Sequence, residues 1–297
     1  MNSQTLPGSL GCLILLFFFL LTYGFTQTAA AGNTSSDSIR FGILSIAPPA
    51  RIHARWQPFV DYVSREMGQT VKVVIPRGFK KMKTAVGKGE VDFFYINSRV
   101  FYRLKSRGQA VGLLQMQNLE GKVTSRSEIY VRRDSGIKNI NELKGKTIAY
   151  VSPMGAGGYL APRAKLMSLG IVSGDKEKEV FTKNLSNSIH QVVLKDVNAG
   201  TMCGVNFKLM SKKVDTGELV VIGMSDDYPE NVIAARQNIA PLQLKKFQQV
   251  VANMPNTEKG RQVLEKMRSM KIIKFIPYDP GIEKITKKLL KQAKLKP

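Results

Sequence analysis

Thr147-Ile-Ala-Tyr-Val-Ser-Pro-Met-Gly-Ala-Gly-Gly-Tyr-Leu-Ala-Pro162 is the stretch whose reading decides the fold. Its first five residues form a short apolar run that reads as a buried strand, and a helical pattern opens at Tyr159. Between them Gly155, Gly157 and Gly158 let the backbone approach another group closely. A strand feeding such a turn and then a helix belongs to an α/β architecture, and the first amides of that helix have no partner within it. Together with the helix dipole they make a socket for an anion. Glycine-rich strand-to-helix turns that hold no ligand share the pattern, so the turn alone assigns no function. Spacing excludes two nucleotide motifs. A P-loop needs Gly-Lys-Ser/Thr, whereas Arg163 and Lys165 follow too late, and a dinucleotide fingerprint needs glycine where Leu160 stands.

Outward from the turn, 297 residues with 43% hydrophobic content can bury one large core or two modest ones. The first 31 residues carry no charged side chain, and the apolar run at residues 13–21 is too short to span a membrane comfortably. This segment reads as an export signal, with Ala29-Ala30-Ala31 as the small-residue cleavage pattern. Residues 1–11 contain no Lys or Arg, which leaves two outcomes open: cleavage, or retention as an N-terminal anchor. Cys12 precedes the apolar run, so cleavage removes it and leaves Cys203 without an intrachain partner. In the apolar stretch Met202-Cys-Gly-Val205, a buried thiol is the expectation for Cys203 rather than a nucleophile. The net charge of +23 attracts anions. The Lys and Arg residues are spread along the chain with no nucleic-acid module beside them, so nucleic acid is not an expected partner.

From residue 39 the pattern alternates strand and helix. A strand at 39–46 leads to a helix over about 52–67, with Trp56, Phe59, Val60 and Val63 on one face and Gly68 ending it. Strands follow at 71–75 and 91–95 with a helix between them, making a βαβαβ half. A helix at 99–106 and strands at 112–116 and 127–131 lead to a second series: strand 148–151, helix 159–169, strand 179–181, helix 186–195, and strands 199–204 and 219–222. A strand at 232–235 opens a mostly helical end at 241–254, 257–270 and 281–294. Two βα clusters predict two lobes. The last helix sets Ile282, Ile285, Leu289 and Ala293 along one stripe and leaves a basic face for solvent.

The order and spacing of seven segments resemble a known family. They are Phe41-Gly-Ile43, Trp56-Gln-Pro-Phe59, Gly89-Glu-Val-Asp92, Leu143-Lys-Gly-Lys146, the Ser152 to Pro162 turn, Asn198-Ala-Gly200 and Ser225-Asp-Asp-Tyr-Pro229. The family is the phosphate/phosphonate-binding group of periplasmic substrate-binding proteins that serve ABC transporters. The resemblance implies a type II periplasmic-binding fold, two α/β lobes with the ligand cleft between them and a hinge that closes on the ligand. It places lobe 1 at residues 38–126 and 228–297 and lobe 2 at 127–227, with the crossings near 125–129 and 224–231. By resemblance the cleft is lined by Phe79, Tyr95, Asn97 and Ser98 from lobe 1, by Gly155, Ala156, Gly157 and Asn184 from lobe 2, and by Asn231 at a crossing.

Several of these positions depart from the family pattern. Phosphonate-binding members have Ser-Thr-Ser where this chain has Gly155-Ala156-Gly157, which removes three hydroxyl donors. Each lost charge-assisted bond costs about 1.5–3 kcal/mol. The family's cleft histidine falls at Asn184 or Leu185, and the carboxylates that grip an amine fall at about Val205 or Asn206 and at Asn231. An aminophosphonate is therefore disfavoured. Arg51, Arg77 and Arg99 follow strand ends, and each offers a cation in place of the lost hydroxyls.

The function this implies is capture of a small oxyanion for a membrane permease, in the periplasm, without catalysis and as a monomer. The alternative is an anchored protein of the same fold that senses its ligand for a membrane receptor. His53 and His190 are the only histidines, so zinc spacings and nucleophilic triads have little material, and neither catalytic residues, metal nor cofactor is expected.

Overall fold

The computed structural model describes residues 38–44, 48–171 and 179–297. The export segment and its cleavage or retention lie outside the described residues. From Ser38 the chain forms β1 (Ser38–Ile43), α1 (Pro49–Met67), β2 (Thr70–Val74), α2 (Gly78–Gly87), β3 (Phe93–Ile96), α3 (Ser98–Lys105) and β4 (Ala110–Gln117). The short β5 (Thr124–Ser125) and then β6 (Ser127–Arg132) lead into a second series. It runs through β7 (Ile148–Tyr150), a π-helical turn at Ala156–Leu160, α4 (Ala161–Ser168), β8 (Glu179–Phe181), α5 (Leu185–Val193), β9 (Ala199–Cys203), α6 (Gly204–Met210) and β10 (Leu219–Met224). The chain returns through β11 (Tyr228–Pro229) to β12 (Val232–Arg236), α7 (Pro241–Ala252), α8 (Glu258–Met267), β13 (Lys274–Pro277) and α9 (Glu283–Gln292).

Three sheets result, in the orders β13-β4-β12-β3-β1-β2, β10-β6-β9-β7-β8 and β11-β5. In the first sheet β1 runs parallel to β2 and β3, while β12 lies antiparallel to both β3 and β4. In the second, β7 is parallel to β8 and β9, and β6 is antiparallel to β9 and β10. The first sheet draws on residues before 118 and after 231, and the second on residues 127–224. The ribbon between them pairs Tyr228 with Ser125 and Pro229 with Thr124.

Both large sheets are covered on two faces, as parallel strands require. Adjacent residues on β3 show the period of two: Phe93 packs with Phe41, Trp56, Phe59 and Phe247, whereas Phe94 packs with Met82, Val100 and Phe101. Phe93 stacks on Phe247 with centroids 3.9 Å apart, a geometry worth about 0.5–1.5 kcal/mol beyond its area. On β6, Tyr130 faces one core and Ile129 and Val131 the other. α1 ends at Gly68, whose φ of 63° lets its amide reach back to Arg65 and Ser64.

A buried carboxylate staples the first sheet where the Gly89-Glu-Val-Asp92 segment enters it. Asp92 accepts from the Arg40 amide at 2.9 Å, from the Arg40 guanidinium at 2.9 and 2.8 Å, and from Arg236 at 3.2 Å. Burial works against its charge, but these donors win and hold its carboxyl below the usual range. Three strands whose far ends reach the site, β1, β3 and β12, are thereby tied at their near ends.

Candidate functional site

The glycine turn has the expected strand–turn–helix form. β7 ends at Tyr150, the Gly155 amide donates to the Ser152 carbonyl at 3.0 Å, and the Leu160 amide donates to the Gly155 carbonyl at 3.1 Å. Amides 156–159 precede that first helical bond and point their dipoles out of the helix start. Ala156 and Gly157 are buried. A Cβ at Gly157 would stand 2.3 Å from the Tyr228 hydroxyl and 2.5 Å from its ring, so only glycine lets the turn sit against β11. Ala156 packs with Tyr228, Leu289 and Leu290, and the Gly157 carbonyl accepts from Ser127 Oγ. The Cα face of the turn is thus occupied by the ribbon and α9, which leaves the side of Ser152 to Gly155 uncovered by them.

That side is met by the start of α3. The Asn97 side chain caps the helix by accepting from the Val100 amide at 3.0 Å, and Ser98 Oγ donates to the Pro229 carbonyl at 2.7 Å. Arg99 follows with 5% of its surface exposed. Its Nη1 donates to the Pro153 carbonyl, and its guanidinium lies 5.3 Å from the Tyr159 ring centre. Nε of Arg99 is buried without a partner, and no carboxylate pairs with this arginine among the described residues. Burial, aided by Arg103 and Arg163, pushes the guanidinium down to about 10. Arg163, also buried, contrasts with it: it pairs with Glu179 and donates from Nε to the Ala293 carbonyl at 3.1 Å. Of the three arginines at strand ends, Arg51 and Arg77 are exposed, and Arg99 alone reaches the turn.

The remaining expected residues divide by role. Phe79, half-buried, joins the apolar cluster on one face of the first sheet, and Met154 from the glycine turn packs on the same cluster. Tyr95 lies over Trp56 with centroids 4.7 Å apart, its hydroxyl donates to Met116 Sδ at 2.9 Å, and Asn231 also hydrogen-bonds it. The Asn231 carbonyl accepts from the Met116 amide at 3.0 Å. Asn184 is exposed and caps α5, accepting from the Asn187 amide at 2.8 Å. Asn97, Ser98, Gly157 and Asn231 are therefore gathered around the ribbon. Asn184 sits one strand across, where the Lys183 amide bonds to the Val151 carbonyl.

Sequence reasoning missed an acidic group beside the ribbon. Glu230 accepts from Ser125 Oγ and from Asn118 Nδ2 at 3.2 Å, and burial raises its carboxyl above the usual range. Burial likewise raises Glu128, whose Oε2 is buried without a partner. Cys203 is half-buried at the start of α6, and its thiol is pushed up to about 11 by burial, as an inert thiol should be. Glu-Ser and Glu-Asn pairs far apart in sequence left no local signal for this group. Among the described residues, no group of three or more His, Cys, Asp or Glu side chains could hold a metal ion, and no helix is long and apolar enough to cross a membrane.

Two α/β lobes linked by a short ribbon, with helix starts facing each other, define a type II periplasmic-binding fold. The family described as the ABC transporter phosphonate periplasmic substrate-binding protein matches residues 41–280, and the chain belongs to that family, whose members bind a solute rather than transform it. The phosphonates-binding periplasmic protein of Escherichia coli is 21% identical over 259 residues, covering 85% of this chain and 77% of that protein. The tetrathionate sensor histidine kinase TtrS of Salmonella typhimurium is 31% identical over 134 residues, which is 44% of this chain and 23% of the kinase. Among solved structures, a Xanthomonas citri protein bound to ATP superposes with a TM-score of 0.76 at 19% identity, covering 87% of this chain and 98% of that one. The Prochlorococcus marinus PhnD1 complex with methylphosphonate gives a TM-score of 0.74 at 14% identity, covering 87% and 98%. These structures share the fold.

Proposed function

We propose that the protein captures a small oxyanion between the Ser152–Gly155 side of the glycine turn and the start of α3, and that its lobes, residues 38–126 with 228–297 and residues 127–227, close on it about the β5–β11 ribbon. The observation that carries this reading is Arg99: a buried guanidinium with no carboxylate partner among the described residues, held against the Pro153 carbonyl beside the helix start at Ala156. A bound oxyanion supplies the missing counter-charge. Arg99 thereby takes over the work of the three hydroxyls that this chain lacks, and a guanidinium does so with two parallel donors.

Delivery to an ABC permease is the activity of the family and the first reading here. A second reading, presentation of the ligand to a membrane sensor, is supported by the 31% identity to the tetrathionate sensor kinase. Export to the periplasm, through residues 1–31, is part of both readings.

The test is a melting-temperature and calorimetric screen against phosphate, phosphite, methylphosphonate, sulfate, tetrathionate and small carboxylates at low and moderate salt. A ligand at a hundred times its Kd raises stability by about 2.7 kcal/mol. The variant Arg99→Gln removes that gain if the site is as described. Full retention of binding in Arg99→Gln refutes the placement. For a permease partner, the ligand-loaded protein stimulates its transporter's ATPase. For a sensor, it alters autophosphorylation of a kinase instead.

A further inference from the structure

Arg99 is the inner end of a longer feature. Arg103 follows it four residues on in α3, about 6 Å along the axis, and Arg107 lies in the turn just past the helix end, which makes a basic stripe of the three. Burial falls along the stripe: Arg99 is buried, Arg103 half-buried and Arg107 exposed. The stripe thus runs from the cleft to solvent. α2 lies alongside and contributes Lys83 and, farther out, the exposed Lys80. Desolvation, and then Arg103, Arg107 and Lys80, hold the Lys83 ammonium below its ordinary value.

No carboxylate pairs with any of these five cations among the described residues. The acids nearby are already engaged, Glu283 by Lys105 and Asp92 by Arg40 and Arg236. Like charges four apart destabilise a helix, and cations on an ordinary surface spread out or pair. Here Nε of Arg103, like Nε of Arg99, is buried without a partner. Among the described residues the Arg103 guanidinium otherwise meets only the Met154 sulfur, at 3.8 Å from Nη1. Met154 is the unbranched side chain that a ligand entering along the stripe displaces.

We propose that the ligand is a short two-headed anion, with one oxyanion group at Arg99 and the glycine turn and a second among Arg103, Lys83 and Arg107. The inference rests on the placement of an oxyanion at Arg99 and adds the ligand's class: a linear dianion of the diphosphate or disulfonate type, its charges one to two helix steps apart. A single-headed anion leaves the outer cations unanswered.

The experiment is calorimetry on the full-length protein at constant ionic strength, with phosphate, diphosphate, methanesulfonate and ethane-1,2-disulfonate as probes. The two-headed member of at least one pair binds tenfold or more tightly than its single-headed partner, and which pair does so separates phosphorus from sulfur ligands. The double variant Lys83→Gln/Arg103→Gln cancels that advantage and leaves single-headed binding within twofold, with melting curves verifying that it folds. Equal affinity within both pairs overturns the inference, as does a double variant that weakens both members of a pair equally. Binding of none of the four probes to the parent protein removes the cleft reading along with it. Binding of single-headed probes without preference for two heads removes only the dianion.

Discussion

Arg99→Met should make the unliganded protein more stable while it abolishes anion binding. Methionine nearly matches the arginine stem in length and is tolerated in irregular apolar surroundings. The displacement of the guanidinium from its ordinary value down to about 10 corresponds to roughly 3 kcal/mol spent on holding the charge out of water. Against that gain stands the loss of the Tyr159 contact, partly replaced by a sulfur–ring contact worth about 0.3–1.5 kcal/mol. The Pro153 carbonyl also loses its donor, but Pro153 is exposed and water can take over. The balance is a gain of about 1–2 kcal/mol, or about 2–8 °C in melting temperature for a protein of this size. With saturating ligand the order reverses, because only the parent collects about 2.7 kcal/mol at a hundred times Kd. Urea unfolding with and without ligand measures both arms. A variant less stable than its parent without ligand, or one that keeps the ligand-induced shift, refutes the idea that Arg99 is an uncompensated charge awaiting an anion.

Asp92→Asn should destabilise by about 2–3 kcal/mol, below the usual cost of breaking a buried pair because both arginines retain contact with water. Since the folded-state pKa of Asp92 is depressed, its contribution is present above the unfolded value near 3.9 and disappears as pH falls through the folded value. Urea titrations from pH 7 to pH 3 should therefore show a steeper acid loss in the parent than in Asp92→Asn, and parallel curves contradict this. Gly157→Ala forces a Cβ into the Tyr228 ring and should cost about 1–3 kcal/mol, with most of the loss recovered in a Tyr228→Ala background. Additive losses in that double-mutant cycle exclude the contact. In a Cys12→Ser background, alkylation of Cys203 at pH 7.5 should run about a hundredfold slower in the folded protein than in urea. Equal rates mean the thiol is open to solvent.

The strand–turn–helix at 147–162 was legible because an apolar run, three glycines and a helical pattern agree locally. The alternation of βα units was legible for the same reason. α6 and β13 were not. α6 is seven residues long with no side-chain cap, and β13 holds one fully buried residue and ends in proline, so both exist through tertiary contact with neighbours rather than through pattern. At the site, sequence put Arg51, Arg77 and Arg99 on equal terms because each follows a strand end, and only burial separates them. Asn97 and Asn184 carry a helix-cap signature, Asn just before a helix, that gives them structural work irrespective of any ligand. Glu230 was invisible because its partners, Ser125 and Asn118, are more than a hundred residues away in sequence.

The β5–β11 ribbon contains two residue pairs and is braced by Asn118, which donates to the Thr124 carbonyl at 3.0 Å and to Ser125 Oγ at 3.2 Å. Such a ladder acts like a leaf spring. Sliding one strand along the other breaks its register all at once, whereas flexing spreads a few degrees over several soft dihedrals. If the lobes close on an anion as proposed, dyes placed at the exposed Lys88 and Lys213 would convert that flexing into a change of energy transfer, making the protein a reagentless optical gauge for its ligand.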